Sequence, residues 1–457
     1  MQKFSGKSFI LLVFGFSLFF LSYSNNGLGS ANNYWFESFQ IDSERLVTDG
    51  LSIDSKKPRL GTFTNSVPGE RAETQNSLHS SSTVKFEEYI SQYGLQIKIF
   101  SFLRKIGFDD FVVLKNIVAF LMALVALGLV ITIFRDFSAR SAVLFYLIFL
   151  LSPWVIAFAN NLFWISFSLF LPLLISAYFA PYIFSSTKYF FLMLMLIFLA
   201  LLFKFLSGYE YTSTIIIAST TPLLYHGLKM NVLIRSIILK CVVFFSVSII
   251  SFAFAIFIHA TSLDQSFSSG LKLIESTANK RLSSYDTDLL FLNTCENDRL
   301  CLQKIQALRE SHEASHIEVV SKYLVSRHFL PSSYVAFKDN EKEILYHAKE
   351  KIIEQNSLLP ILNVDKLLLA KASLHLSFLI LSNLFLIILI FLCCKNIKQM
   401  PTYFLIPLFI SFLAPLSWFL IAKPHSFLHY HINYILWYLY FIPFAVVAIT
   451  ETKLIKT

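Results

Sequence analysis

Charge is scarce in this chain. Asp, Glu, Lys and Arg together make up 15% of its 457 residues, against about 25% in a soluble domain. So few charges cannot solvate the surface of a protein this size, which excludes a soluble enzyme, a coiled coil and a disordered chain. Glycine and proline number 13 each, too few for a collagen-like or low-complexity architecture. There is no glycine-rich phosphate loop and no internal repeat. The hydrophilic segments carry no Asn-x-Ser/Thr acceptor, which favours a bacterial envelope over the endoplasmic reticulum. Cysteine is sparse. Cys241, Cys393 and Cys394 sit in or beside apolar runs and read as core or lipid-facing thiols. Cys295 and Cys301 share a polar stretch; in an oxidising compartment they would pair, and otherwise they are two free thiols.

What the chain has instead is apolar residues, 55% of the total, gathered in blocks long enough to span a bilayer. We count ten, at about Ser8–Tyr23, Phe111–Phe134, Ala142–Ala159, Leu162–Phe179, Tyr189–Leu206, Ser213–Tyr225, Ser236–His259, Leu374–Cys394, Tyr403–Ala422 and Tyr434–Thr450. The first is short and follows Lys3 and Lys7. It reads as an uncleaved anchor in preference to a signal peptide. With the N-terminus inside, alternation places Arg135, Arg140, Lys188, Lys229, Arg235, Lys395, Lys398, Lys453 and Lys456 in inner loops, as the positive-inside rule requires. The net charge of +9 thus follows from topology. No basic stripe interleaves with exposed aromatics, so nucleic acid is not an expected partner.

The expected fold class is therefore an all-α polytopic membrane protein of about ten transmembrane helices. Both termini are cytoplasmic, and two large loops are extracytoplasmic. Residues 1–23 are the first anchor. Residues 24–110 form an outer loop, and residues 111–259 a bundle of six spans. Residues 260–373 make a helical cap, and residues 374–457 hold three further spans and a tail. Within the first loop, residues 34–54 are rich in acid, residues 61–83 are a Ser/Thr/Asn-rich surface stretch, and residues 86–108 are amphipathic. There Ile97, Phe100, Leu103 and Ile106 recur at helical spacing, which suits a helix lying on the membrane interface. In the cap, Leu300, Ile305, Leu308, Ile317, Val320 and Leu324 mark one helix, and residues 342–353 fit another.

Four constellations could carry chemistry. Asp42-Ser43-Glu44 puts two carboxylates on one side of an extended segment, where they could share a divalent metal or act as base and orienting group; a solvated polar loop is the plainer reading. The last outer loop gathers Lys423, His425, His429 and His431 between Trp418 and Trp437. Such a cluster could hold a phosphate and stabilise charge on a leaving group, or it could be interfacial residues with aromatic anchors. Glu210 lies between Tyr209 and Tyr211, with Lys204 before it and Asn160 and Asn161 at the same face; a plain interfacial turn also fits. Finally, His312-Glu313-Ala314-Ser315-His316 matches H-E-x-x-H, a zinc-peptidase spacing if it lies on one helix, but its polar neighbours offer no dry pocket.

The order of an inner first end, an outer loop opening on a short acidic motif (Asp42, Glu44), an interfacial helix (about Gln96 to Phe108) and then many spans resembles the C-type (GT-C) polytopic glycosyltransferases. The stretch from Ser152-Pro153-Trp154 through Asn161-Leu162-Phe163-Trp164 and the His-bearing final loop share that look. The Asp-Ser-Glu spacing departs from the adjacent or differently spaced acids of many members. The resemblance implies transfer of a sugar from a polyprenyl-phosphate donor to a glycan or lipid acceptor at the outer face of a bacterial inner membrane. It further implies Asp42 as first choice of base and Glu44 as second, with Lys423, His425, His429, His431, Glu210 and Asn160 around substrate or phosphate. No metal ligand is assigned, although a divalent ion is compatible. A transporter or flippase of lipid-linked glycans is the alternative, and a zinc metallopeptidase a more distant one.

Overall fold

The computed structural model describes residues 6–25, 34–53, 58–64, 85–264, 266–282, 310–325, 385–428 and 430–454. Most of the Ser/Thr/Asn-rich stretch, Cys295, Cys301, residues 342–353, the start of the eighth expected span and His429 lie outside these. So do the side chains of Asp42 and His431.

Among the described residues the protein is helical apart from one pair of short strands. Helices α1 (Gly6–Asn25) and α2 (Tyr34–Ser52) precede strands β1 (Gly61–Thr64) and β2 (Lys85–Glu88), which pair antiparallel. Then follow α3 (Leu95–Lys105), α4 (Phe111–Asp136), α5 (Ala139–Leu151), α6 (Pro153–Ala159), α7 (Phe167–Phe179), α8 (Thr187–Ser207), α9 (Thr212–Ser219), α10 (Thr221–Lys229), α11 (Ile234–Leu263) and α12 (Phe267–Leu282). Beyond these lie helices at His316–Val325, at residues 385–396, at Thr402–Ile421 and at Ile442–Leu454.

Helices α4, α8, α11 and Thr402–Ile421 are long and apolar enough to cross a membrane, and α5 with α6 makes a fifth if counted as one bent span. The chain is thus an integral membrane protein by the length and composition of its helices. Helix α11 presents Leu239, Val242 and Ile249 outward, each more than half exposed, as a lipid-facing surface requires. Its other side packs on α8, while α4 packs on α1, α5 and α7. The α5–α6 pair bends by 63°. Pro153 has no N–H to give the ladder and pushes Ser152 to an extended ψ of 117°. The Ser152 hydroxyl then accepts from Val155 N at 3.3 Å, capping the new helix.

The first loop differs from its sequence reading. Residues 34–52 form a helix where an extended acidic segment was expected. Val47 and Leu51, one turn apart, are buried against Ile97 and Phe100, and Arg45 pairs with Asp49 at i+4. Residues 61–64, read as unstructured surface, are the first strand, held by Asp49 accepting from Phe63 N at 3.1 Å. The amphipathic stretch becomes helical only at Leu95. Gly94 precedes it at φ 70°, a left-handed turn that a side chain would strain.

At the far end of α4, Glu451 ties the C-terminal helix to α5. Its carboxylate accepts from Ser138 N at 2.9 Å, Ser138 Oγ at 2.5 Å and Ser141 Oγ at 2.6 Å. These bonds hold the carboxyl below its usual range against the opposing effect of burial. Replacing Glu451 by Ala strands both serines. We expect a loss of about 1–3 kcal/mol, read as a lowered melting temperature of the detergent-solubilised protein, with Glu451→Asp less affected.

Candidate functional site

The end of the bundle where α4 begins is built around residues 160–166. A loop at this depth lacks water to satisfy its backbone, so side chains must do it. Asn161, fully buried, accepts from Phe163 N at 3.0 Å and Trp164 N at 3.1 Å, and donates to Ser43 Oγ at 2.9 Å. Gln96 of α3 donates to Phe163 O at 3.2 Å. Glu44 accepts from Leu162 N at 3.1 Å through one oxygen and pairs with Lys115 of α4 at 2.9 Å through the other. Asn160 donates to Ser24 O at 2.9 Å, fastening the end of α1.

Both oxygens of Glu44 are thus committed to holding the loop against α2 and α4. Asp42 lies two residues earlier on α2. Positions two apart stand about 200° apart around a helix, so the backbone here is not the extended segment on which the pairing of the two carboxylates was argued.

The next loop joins α8 to α9. Lys204, almost wholly buried, donates to Gly208 O at 2.6 Å, and the Glu210 carboxylate lies within electrostatic reach of its ammonium. Gly208 has no room for a side chain, because the Gln92 amide and the Glu210 carboxylate both close on it. Tyr211 follows at φ 65°, a strained position for an aromatic residue. It is held there by stacking on Trp164 at 5.5 Å and by donation to Asn433 Oδ1 at 2.7 Å. Backbone strain of this kind persists where the surroundings over-determine it. The Tyr209 hydroxyl meets His259 Nδ1 at 3.0 Å. Burial, with the Glu210 charge second, keeps that hydroxyl above the usual tyrosine range, so it stays protonated.

Two clefts lie close to this loop. One, of about 500 Å³, is mostly apolar and is bordered by Tyr209, Glu210, Phe252, Ile274, Trp418 and His425. It brings together two residues singled out from sequence, Glu210 and His425. The other, of about 520 Å³, is bordered by Arg59, Glu88, Gln92, Lys98, Lys105 and His259. Arg59 is paired with Glu88, and Lys98 stands 3.3 Å above the Tyr93 ring, leaving the cleft with a positive balance. Gln92 is 4% exposed, and neither its amide oxygen nor its amide nitrogen has a hydrogen-bond partner among the described residues. The clefts adjoin: Ser91 borders the apolar one and Gln92 the polar one, while Tyr209 and its partner His259 divide likewise.

Lys423 borders neither cleft. Lys423 donates to His312 O and Ala314 O, both at 2.8 Å, so it docks the 310–325 segment onto the bundle. That segment carries the H-E-x-x-H spacing, but the helix breaks at Ala314-Ser315 and a new one begins at His316. The two histidines therefore do not lie one turn apart on a single helix. No group of three His, Cys, Asp or Glu converges as a metal site among the described residues. Sequence reading missed Arg59, Gln92 and His259. The last had a weak signal, an imidazole ending an apolar run.

Removing Lys115 leaves the Glu44 carboxylate half-buried without its cation. We expect Lys115→Met to cost about 1–3 kcal/mol and Glu44→Gln combined with it to recover part of that loss. A double-mutant cycle on thermal stability checks the coupling, which vanishes if the pair does not hold the loop.

No protein-family model matches the chain, and no curated protein or solved structure is detectably similar to it.

Proposed function

We propose that the chain is a polytopic membrane glycosyltransferase of about ten spans. It moves a sugar from a polyprenyl-phosphate donor to a hydroxyl acceptor on the extracytoplasmic side of a bacterial inner membrane, both termini being cytoplasmic. One observation carries the reading: an apolar cleft and a cationic polar cleft of similar size adjoin at one end of a membrane bundle. A lipid-linked sugar phosphate has the same division, a greasy chain and an anionic head.

In this reading the prenyl chain lies against Phe252, Ile274 and Trp418, and the phosphate faces Lys98, Lys105 and Arg59. The Gln92 amide offers its N–H donors and its carbonyl oxygen to the sugar. A carboxylate takes the proton from the acceptor hydroxyl. The oxygen then attacks the anomeric carbon, the bond from that carbon to the phosphate oxygen breaks, and polyprenyl phosphate leaves with the electron pair. Cations fixed beside the leaving phosphate favour that charge development. Glu44 is occupied by Lys115 and Leu162 N, so the base falls to Asp42, with Glu210 of the apolar cleft as the next choice.

Purified protein in lipid vesicles, given a polyprenyl-phosphate sugar and an acceptor, should release polyprenyl phosphate. Asp42→Asn should lower kcat by at least about a hundredfold, and Lys98→Gln should raise KM for the donor. Full turnover by both Asp42→Asn and Glu210→Gln removes the base assignment. Movement of the intact lipid-linked sugar across sealed vesicles without cleavage, unchanged in either variant, replaces the transferase reading with a flippase.

A further inference from the structure

At the opposite end of the bundle a third cavity, a groove of about 730 Å³, runs between α5, the helix at residues 385–396 and the C-terminal helix Ile442–Leu454. Its first wall is one face of α5. Arg140, Leu144, Leu147 and Leu151 recur there at spacings of three and four. The facing wall repeats the arrangement, with Val446, Ile449 and Lys453 on one side of the C-terminal helix. Each wall is thus an apolar stripe ending in a single cation.

The two cations fall at the same end. Arg140 is in the first turn of α5 and Lys453 in the last turn of the C-terminal helix. Glu451, two residues before Lys453, is bonded to Ser138 and Ser141, on either side of Arg140 in the chain. Both cations are exposed, and neither has an ion-pair or hydrogen-bond partner among the described residues. Of the nearby acids, Asp136 is paired with Arg135 and His226, and Glu451 keeps its charge, turned to the two serines with Lys229 within electrostatic reach. Leu144, Leu147, Leu151 and Ile388 are each more than a third exposed in the groove.

We propose that this groove holds one anionic phospholipid, with its acyl chains along the leucine stripes and its phosphate between Arg140 and Lys453. An apolar groove facing the bilayer fills with chains whatever the headgroup, because an empty one forfeits contacts on every lining atom. The two cations, neither in an ion pair among the described residues, supply the choice of headgroup. An anionic lipid gains from both charges at the membrane surface, whereas a zwitterionic one brings its own ammonium to the same place. The site lies at the far end of α4 from the two clefts, so it stands or falls independently of the transferase reading.

The test uses the full chain in detergent, stripped of lipid and titrated with phosphatidylglycerol or phosphatidylcholine of identical chains, with single-lipid adducts counted by native mass spectrometry. Phosphatidylglycerol should bind at least about tenfold tighter. Arg140→Gln with Lys453→Gln should bring the ratio close to one without changing the melting temperature of the stripped protein, because both side chains are exposed. Lys188→Gln, an exposed cation outside the groove, should leave the ratio intact. Leu147→Trp, which fills the groove, should weaken both lipids together. Equal binding of the two lipids by the unaltered chain overturns the proposal, as does a preference that survives the double substitution. Competition by glycerol phosphate at the lipid's own concentration range shows a free-phosphate site instead, and also overturns it.

Discussion

The fold of one end of this bundle depends on a single constraint: backbone groups that leave the helical ladder inside an apolar protein must find partners in side chains. Residues 160–166 leave it, and the partners come from three separate elements. Asn161 closes its own turn and reaches α2, Gln96 reaches in from α3, and Glu44 spans from the Leu162 amide to Lys115 on α4. Each contact contributes modestly. Together they fix where the amphipathic helix and the acidic helix sit relative to the membrane-spanning part. The apolar cluster of Val47, Leu51, Ile97, Phe100 and Phe163 then forms between them.

From that anchoring the rest of the end follows. Holding α3 in place sets Lys98 and Lys105 along one side of a cleft. The turn before α3 sets Gln92 against Gly208, where only a glycine leaves space for the amide and for Glu210. Tyr211 accepts a left-handed backbone because Trp164 and Asn433 hold both its ring and its hydroxyl. The strain at Tyr211 and the unsatisfied amide of Gln92 both lie at the short loop between α8 and α9. Local costs of this sort gather where a chain is shaped for a ligand rather than for its own stability.

The membrane class and the helical character were legible in the sequence because they rest on composition and on apolar run length, which no packing detail can reverse. The bend at Ser152-Pro153 was not expected: Ala142–Ala159 read as one apolar run, and the proline within it breaks the run into two helices. The helix at Tyr34–Ser52 was not legible either. Its acids drew attention to charge, while Val47 and Leu51 gave only two apolar turns. Their partners, Ile97 and Phe100, lie some fifty residues away. The site was legible in fragments. Glu210 and His425 stood out as polar residues beside apolar runs, and the structure puts both on one cleft. Gln92 and Arg59 carried no sequence signal, because their interest comes from what they lack or face in three dimensions. Lys423 carried a strong signal as a cation among histidines, yet its ammonium is spent on two carbonyls of the segment that packs above it.

The two ends of the bundle treat their charges in opposite ways. Where α4 begins, nearly every ionisable group near the loops is matched: Glu44 with Lys115, Arg45 with Asp49, Arg59 with Glu88. A positive balance remains in the cleft beside Gln92. Where α4 ends, Arg135, Asp136 and His226 form one matched group, while Arg140 and Lys453 stand together at the mouth of the apolar groove. Cations at the surface of a lipid-embedded protein cost little while water or headgroups reach them, so there is no stability reason to place two of them on facing walls of the same groove. Scattered around the rim, they would satisfy the positive-inside rule equally well. Their convergence adds the one thing that scattering would not, a shared position for a single negative charge with hydrocarbon beneath it.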